Sequence, residues 1–132
     1  MKFLLDTDVV ISLLRGNKKV AASIDRVGIS SCCISEITKA ELLYGVELSR
    51  RKGRKSDALL VDRLLDTLET VPLGNSLSVF ASIKADLVCS GTPIEDFDLL
   101  IGCTALVNSF VLVSGNIAHM SRIKGLSLEN WI

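Results

Sequence analysis

Three acidic residues, Asp6, Glu41 and Asp98, stand at positions where a charged side chain needs an explanation. Asp6 directly follows the apolar run Phe3–Leu5, Glu41 lies in a segment of mostly apolar or small residues, and Asp98 opens a long apolar stretch. A carboxylate in apolar surroundings is costly unless it is hydrogen-bonded, paired with a charge or bound to a metal ion. The three acids therefore predict a polar pocket built from separate parts of the chain.

A pocket rich in carboxylate oxygens suits hard divalent cations, and Mg²⁺ typically takes one or two carboxylates while keeping waters for the substrate. Such ions generate a hydroxide and stabilise the leaving oxygen in phosphodiester cleavage. Zinc is not favoured, because no CxxC pair is present and the single histidine, His119, lies far along the chain. The cysteines at 32, 33, 89 and 103 are typical of buried, reduced thiols.

Each acid also has a purely structural interpretation. Asp6 could cap a helix that starts near Val9, and Asp8 fits that capping role still better. Glu41 could reach solvent along the edge of its helix, and Asp98 could simply favour the positive end of a helix dipole. Spacing alone leaves these alternatives open.

The elements that must position the acids follow from the apolar patterning. Short apolar or β-branched runs predict strands over 3–5, 28–35, 70–73, 110–113 and 126–128. Helical spacing and turn signals predict helices over 9–14, 17–26, 35–48, 59–68, 76–90 and 96–108. Strands separated by helices predict an α/β fold with a mainly parallel sheet covered on both faces. Ligands bind at the carboxyl ends of such strands, where Asp6 lies.

Two local predictions concern packing. The helix over 35–48 is expected to bury one face, formed by Ile37, Ala40, Leu43, Tyr44 and Leu48. Trp131 is expected to pack in the closing strand region rather than to stack on a base.

The bulk properties predict one domain over 1–132. The 132 residues are 48% hydrophobic and 23% charged, which is enough apolar material for a core. No apolar run approaches the ~20 residues of a membrane helix, and Asp6 interrupts any signal-peptide core, so we expect a cytoplasmic protein without membrane contact. Lys plus Arg and Asp plus Glu number 15 each. Nucleic acid would therefore have to bind through a local basic patch or metal ions.

The same residues carry a family resemblance. The segments 4–8 (LLDTD), 37–45 (ITKAELLYG), 98–101 (DLLI), 113–116 (VSGN) and 125–131 (GLSLENW) occur in an order that resembles PIN domains. More narrowly, the chain resembles the VapC-type toxins of toxin–antitoxin modules. The likeness covers essentially the whole chain.

The resemblance implies a PIN-like three-layer α/β/α fold and a Mg²⁺- or Mn²⁺-dependent RNA endonuclease. It also implies a homodimer and neutralisation by a small VapB-like antitoxin protein. Asp6, Glu41 and Asp98 match the first three acids of the family's catalytic metal site. Thr7 and Ser114 match hydroxyl positions that are candidates for substrate binding.

The chain departs from the family pattern at Asn116, where many PIN domains carry a fourth acid. An amide oxygen can ligate a hard cation or contact substrate, but it brings no charge, so a second metal should bind more weakly. Asp96 could supply the missing fourth acid, although its spacing does not match the family motif. His119 is expected to be a surface residue rather than a phosphate contact. The basic segment 50–55 is expected to be an exposed connection, in which Arg50 and Arg51 are candidates for phosphate contacts.

Three functions remain in competition. The first is a toxin ribonuclease, and the second is a phosphoesterase that acts on small molecules through the same carboxylates. The third is a nucleic-acid or protein binding module with weakened catalysis, motivated by Asn116. Three buried acids argue against complete loss of catalysis.

Overall fold

Five short strands form one parallel sheet in the order β3-β2-β1-β4-β5. The computed structural model describes residues 1–55 and 57–132. The strands are β1 (Phe3–Leu5), β2 (Cys32–Ser35), β3 (Glu69–Val71), β4 (Val111–Val113) and β5 (Ser127–Glu129). The described helices are α1 (Thr7–Leu14), α2 (Lys18–Val27), α3 (Glu36–Arg51), α4 (Ala58–Thr67), α5 (Ser76–Cys89), α6 (Asp96–Val107) and α7 (Ile117–Met120). None of the helices within these ranges has the length and apolar character to cross a bilayer.

The central strand β1 sends alternate side chains to two separate cores. Phe3 and Leu5 join one buried cluster, and Leu4 joins the other, as the period of two in a strand requires. Helices therefore cover both faces of the sheet, which confirms the predicted α/β/α layering. Trp131 packs in the first cluster, with its ring centroid 5.3 Å from that of Phe3, so its predicted packing role is confirmed.

Local sequence explains several element boundaries. Asn17 caps α2 by accepting hydrogen bonds from the backbone N–H groups of Lys19 and Val20. Ser35 ends β2 and caps α3 by accepting from Thr38 N at 3.1 Å. Gly28 follows α2 with a φ of +87°, a value that glycine adopts without the strain of a side chain.

The structure differs from the sequence predictions at several places. The strand predicted over 28–35 is a 3₁₀ turn over Ile29–Ser31 followed by β2, and α7 was not foreseen. Helix α3 continues through Arg51, so the predicted connection at 50–55 begins inside a helix. The buried face of α3 also differs. Ala40 is exposed, and Leu43 and Tyr44 are 47% and 66% exposed, while Thr38 and Leu42 are buried. Of the four cysteines, Cys89 is exposed.

Candidate active site

The predicted acids meet at the carboxyl edge of the sheet, beside β1. The chain crosses from β1 to β2 on one side, and β4 pairs with β1 on the other, so β1 marks the point where the connections change direction. Open parallel sheets bind ligands in the crevice at this point. A cleft of about 320 Å³ lies there, lined by Asp6, Thr7, Asp8, Ile11, Glu41, Asp98 and Asn116.

Asp6 is the buried acid of the cleft, with 4% of its surface exposed. It is the N-cap of α1, and its Oδ1 accepts a hydrogen bond from Thr7 N at 2.8 Å. Its Oδ2 accepts from the Ser114 hydroxyl, also at 2.8 Å. The capping and cleft interpretations of Asp6 are therefore both correct, because a residue that ends β1 and starts α1 serves both purposes.

Glu41 is positioned through hydroxyl groups. The Thr7 hydroxyl donates to Glu41 Oε1 at 2.7 Å and lies 3.0 Å from the Thr38 hydroxyl. Thr38 is fully buried and also contacts the Ser35 hydroxyl at 3.5 Å. This chain of hydroxyls ties the start of α1 to the start of α3, and Glu41 is only half-buried at its end.

Asp8 is the cleft residue that the sequence interpretation missed. The sequence favours Asp8 as the helix cap, but Asp6 occupies that position, and Asp8 lies in the first turn of α1. Its Oδ2 accepts a hydrogen bond from Gly115 N at 3.0 Å, so it links α1 to the segment after β4. The available signal was helical spacing, since Asp8 and Ile11 are three residues apart and therefore share one helix face.

Asp98 and Asn116 form the opposite wall of the cleft. Asn116 Nδ2 lies 3.4 Å from Asp98 Oδ2, which is a long hydrogen bond. The Asn116 Oδ1 atom lies 2.7 Å from Nδ1 of the exposed His119. Asp98 is half-buried, as is Glu41, so the prediction of three buried acids holds only for Asp6.

Burial and mutual repulsion disfavour the charged form of these acids. Loss of solvation raises the pKa of Asp6 to about 6, against hydrogen bonds from Ser114 and Thr7, and nearby Asp8 and Asp98 add to the rise. Loss of solvation also raises the pKa of Asp8. The pKa of Asp98 is raised by burial first, and then by the negative charges of Glu95, Glu41 and Asp8.

The donor set of this cleft fits a hard divalent cation. Four of the seven lining residues are Asp or Glu, and none of the seven is a Lys or Arg. Within residues 1–55 and 57–132, no three His, Cys, Asp or Glu side chains converge closely enough to hold one ion by themselves. Mg²⁺ does not need three, because it is commonly held by one or two carboxylates plus waters and substrate oxygens.

Several residues considered from the sequence do not line the cleft. Arg50 and Arg51 lie at the far end of α3, where both donate to Glu47, with Arg51 Nε at 2.9 Å from Glu47 Oε1. Asp96 is exposed and pairs with Lys84 at 2.8 Å. The Ser114 side chain is fully buried behind Asp6.

Comparison with known proteins agrees with this architecture. A family model for the PIN domain matches residues 3–126. The tRNA(fMet)-specific endonuclease VapC of Salmonella typhimurium is 30% identical over 132 residues, covering 99% of this chain and 98% of the relative. Ribonuclease VapC2 of Haemophilus influenzae is 33% identical over 134 residues, covering 100% of this chain and 99% of the relative.

A solved structure shows the same similarity in three dimensions. The crystal structure of DNA-bound VapBC from Salmonella typhimurium contains a chain that superposes with a TM-score of 0.85 at 29% identity. The match covers 100% of this chain and 99% of that chain. The chain therefore belongs to the PIN domain family, among the VapC-type ribonucleases.

Proposed function

We propose that this protein is an RNA endonuclease that depends on Mg²⁺ or Mn²⁺ and acts as the toxin of a toxin–antitoxin pair. The observation that supports the proposal is the group of four carboxylates, Asp6, Asp8, Glu41 and Asp98, around one cleft at the carboxyl edge of β1. None of the described residues that line that cleft is cationic, so a bound cation is the natural partner for this charge.

We assign the metal-holding role to Asp6, Glu41 and Asp98, which would hold an ion directly or through bound waters. Asn116 would join them as a neutral oxygen donor only if its amide turns over, because Nδ2 faces Asp98 and Oδ1 contacts His119. A bound divalent ion would supply Lewis-acid activation of a water and charge stabilisation at the phosphate. Asp8 adds negative charge to the same site.

The hydroxyl groups act mainly as positioning residues in this proposal. Ser114 holds one oxygen of Asp6 and also accepts from Asn116 N at 2.9 Å, so it fixes two residues of the site at once. Thr7 donates to Glu41 and leaves the other Glu41 oxygen available to the cleft. Such preorganisation keeps the carboxylates in place when the substrate arrives.

The relatives suggest the biological setting. The Salmonella relative is named for cleavage of tRNA(fMet), and the superposed structure is a VapBC complex. By analogy, we propose a structured RNA substrate, a cognate VapB-like antitoxin, a homodimeric state and a cytoplasmic location for this chain.

The decisive experiment is RNA cleavage by the purified protein with magnesium, manganese or EDTA. Initiator tRNA and total RNA serve as substrates, and Asp6→Asn serves as the variant, because it removes a ligand charge and little volume. Asp25→Asn on the exposed side of α2 is the matched control. We expect discrete products that require metal, persist in the control and vanish with Asp6→Asn.

Two other results would redirect the assignment. Hydrolysis of a small phosphodiester such as bis-p-nitrophenyl phosphate without any RNA cleavage would favour the small-molecule phosphoesterase. RNA binding without cleavage under any metal condition would favour the binding module. RNA cleavage that is undiminished in a folded Asp6→Asn protein would reject the carboxylate site.

A further inference from the structure

The acidic cleft cannot by itself hold a long RNA strand. A metal in the cleft would neutralise the phosphate that is cut, but the phosphates on either side need their own cations. The nearest walls of the cleft offer carboxylates and one amide. A polymer substrate therefore requires basic residues that lie outside the cleft and are connected to it.

Helix α7 leads away from the cleft toward such residues. Asn116, His119 and Arg122 follow one another at intervals of three, so they lie along one side of this short helix and the turn after it. Asn116 lines the cleft and contacts His119, and Arg122 N donates to the His119 carbonyl at 3.1 Å. The side chain of Arg122 is fixed further out, with Nη1 donating to the Pro93 carbonyl at 2.7 Å.

Arg122 lines a second and larger cavity of about 600 Å³. Its basic lining residues are Arg122 and Lys124, and the hydroxyls of Ser90 and Thr92 lie along its wall. Among the residues described around this cavity, Asp86 is the one acid. These polar residues are all exposed, so the cavity is open to solvent and its polar side chains can be reached by a nucleic-acid strand.

The segment 99–128 carries a local excess of positive charge, although the formal net charge of the whole chain is zero. The sequence contains no acidic residue between Asp98 and Glu129, and Arg122 and Lys124 are the only Lys or Arg in that interval. In the described part of the chain, neither residue is among the ion pairs. Both cations therefore remain available to an anionic ligand.

We propose that this second cavity is a phosphate-binding subsite for single-stranded RNA next to the bond that is cut. Arg122 and Lys124 contact backbone phosphates there, Ser90 and Thr92 donate to phosphate or ribose oxygens, and α7 sets the spacing from the cleft. The inference rests on the proposed RNA endonuclease activity and assigns the path of its substrate.

The first test measures RNA binding by fluorescence anisotropy of the full chain, with Ca²⁺ in place of Mg²⁺ to compensate the cleft acids while slowing cleavage. The probes are a 12-nucleotide single-stranded RNA and a dinucleotide of the same sequence, and the variant is Arg122→Gln with Lys124→Gln. The control is Lys18→Gln with Lys19→Gln, which removes the same charge. Those lysines begin α2, which follows the eight residues of α1, about 12 Å of helix away from the cleft.

We expect the Arg122 and Lys124 double variant to weaken binding of the 12-nucleotide RNA roughly 10-fold. The slope of log K against log salt should fall by about 1.4, since each phosphate contact on a single strand contributes about 0.7. Binding of the dinucleotide should not change. The lysine control should change neither the affinity for the 12-nucleotide RNA nor the salt slope. Asp86→Asn should tighten binding of the longer RNA, because it removes the one opposing charge.

Arg122 also donates to Pro93, so Lys124→Gln alone provides a variant that removes no side-chain hydrogen bond of the described structure. It should lower the salt slope by about 0.7 while the melting temperature stays unchanged. Equal losses in the two double variants, or no loss in either, would overturn the subsite. So would a double variant that binds RNA normally but fails to bind the cognate antitoxin.

The outcome separates this inference from the proposed function. Metal-dependent cleavage combined with unchanged binding in the Arg122 and Lys124 variant keeps the endonuclease and rejects the subsite. Selective loss of binding to the longer RNA in a protein that never cleaves RNA keeps the subsite and rejects the endonuclease.

Discussion

Asp6 shows how one residue can join a structural and a chemical role. Its Oδ1 caps α1 through Thr7 N, and its Oδ2 accepts a hydrogen bond from Ser114, directly after β4, the strand next to β1. Both hydrogen bonds favour the carboxylate, yet burial outweighs them and raises the pKa of Asp6 to about 6. The metal-free protein therefore carries an unfavourable charge at neutral pH.

The first prediction is that Asp6→Asn stabilises the metal-free protein at pH 7. The rise of the pKa from 3.8 to about 6 corresponds to a destabilisation on the order of 3 kcal/mol once the group is ionised. The asparagine can keep the cap through its oxygen, and the Ser114 hydroxyl can rotate to accept from its amide. Thermal unfolding in EDTA should show a higher melting temperature for the variant than for the wild type.

The sign of the pH dependence follows from linkage. The folded state holds the proton more tightly than the unfolded state, so the destabilisation is absent below about pH 4 and grows as pH rises through 6. The gap in melting temperature between variant and wild type should therefore shrink from pH 7 to pH 5. The same gap at both pH values would contradict the assignment, and Asp25→Asn provides the control for a removed surface charge.

At the scale of elements, close packing of α6 against the connection from α7 to β5 links the two cavities. Gly102 lies on the buried side of α6, and a Cβ added there would overlap Cδ1 of Ile123. Ile123 is 2% exposed and lies between the two proposed phosphate contacts, Arg122 and Lys124. The absence of a side chain at Gly102 thus allows this connection to approach α6.

The second prediction compares two glycine substitutions in helices. Gly102→Ala should destabilise the fold by about 1–3 kcal/mol, because the buried Ile123 has little room to move. Gly45→Ala in α3 should instead stabilise it by about 0.5–1 kcal/mol, because a Cβ there meets no atom within 4 Å. Denaturant unfolding measures both, and a stabilising Gly102→Ala would show that the close contact can relax without cost.

At the scale of the whole molecule, a net charge of zero conceals separate acidic and basic regions. Four carboxylates lie together at the cleft, while Arg122 and Lys124 line the second cavity. A net charge of zero therefore does not argue against a nucleic-acid substrate. It instead implies that RNA should approach the cleft only when a cation compensates the acids.

The third prediction is that Mg²⁺ or Mn²⁺ raises the melting temperature of the wild-type protein. A ligand that binds only the folded state stabilises it by about 2.7 kcal/mol at 100 times its Kd. The effect should be lost in Asp6→Asn and kept in Asp25→Asn. A wild-type melting temperature that stays constant up to high metal concentrations would count against a preformed metal site.

Much of the architecture follows from local sequence. Apolar runs and helical spacing are sufficient for the parallel sheet and its covering helices, because each pattern directly reflects burial on one or both faces. The exceptions are short or misleading patterns. Helix α7 has four residues, too few for a period, and the apolar spacing of α3 predicted a buried face that includes the exposed Leu43 and Tyr44.

The residues of the candidate site also fall into two groups, those that the sequence indicates and those that only the fold brings to the site. The residue types indicate the chemistry, since Asp6, Glu41 and Asp98 stand out in the sequence as acids in apolar surroundings. The fold is needed to show that Asp8 joins them through Gly115, that Arg50 and Arg51 pair with Glu47 at the far end of α3, and that Arg122 lies one helix beyond the cleft. The physical reason is that these facts depend on the rotation and length of particular helices, which the order of residues along the chain does not specify.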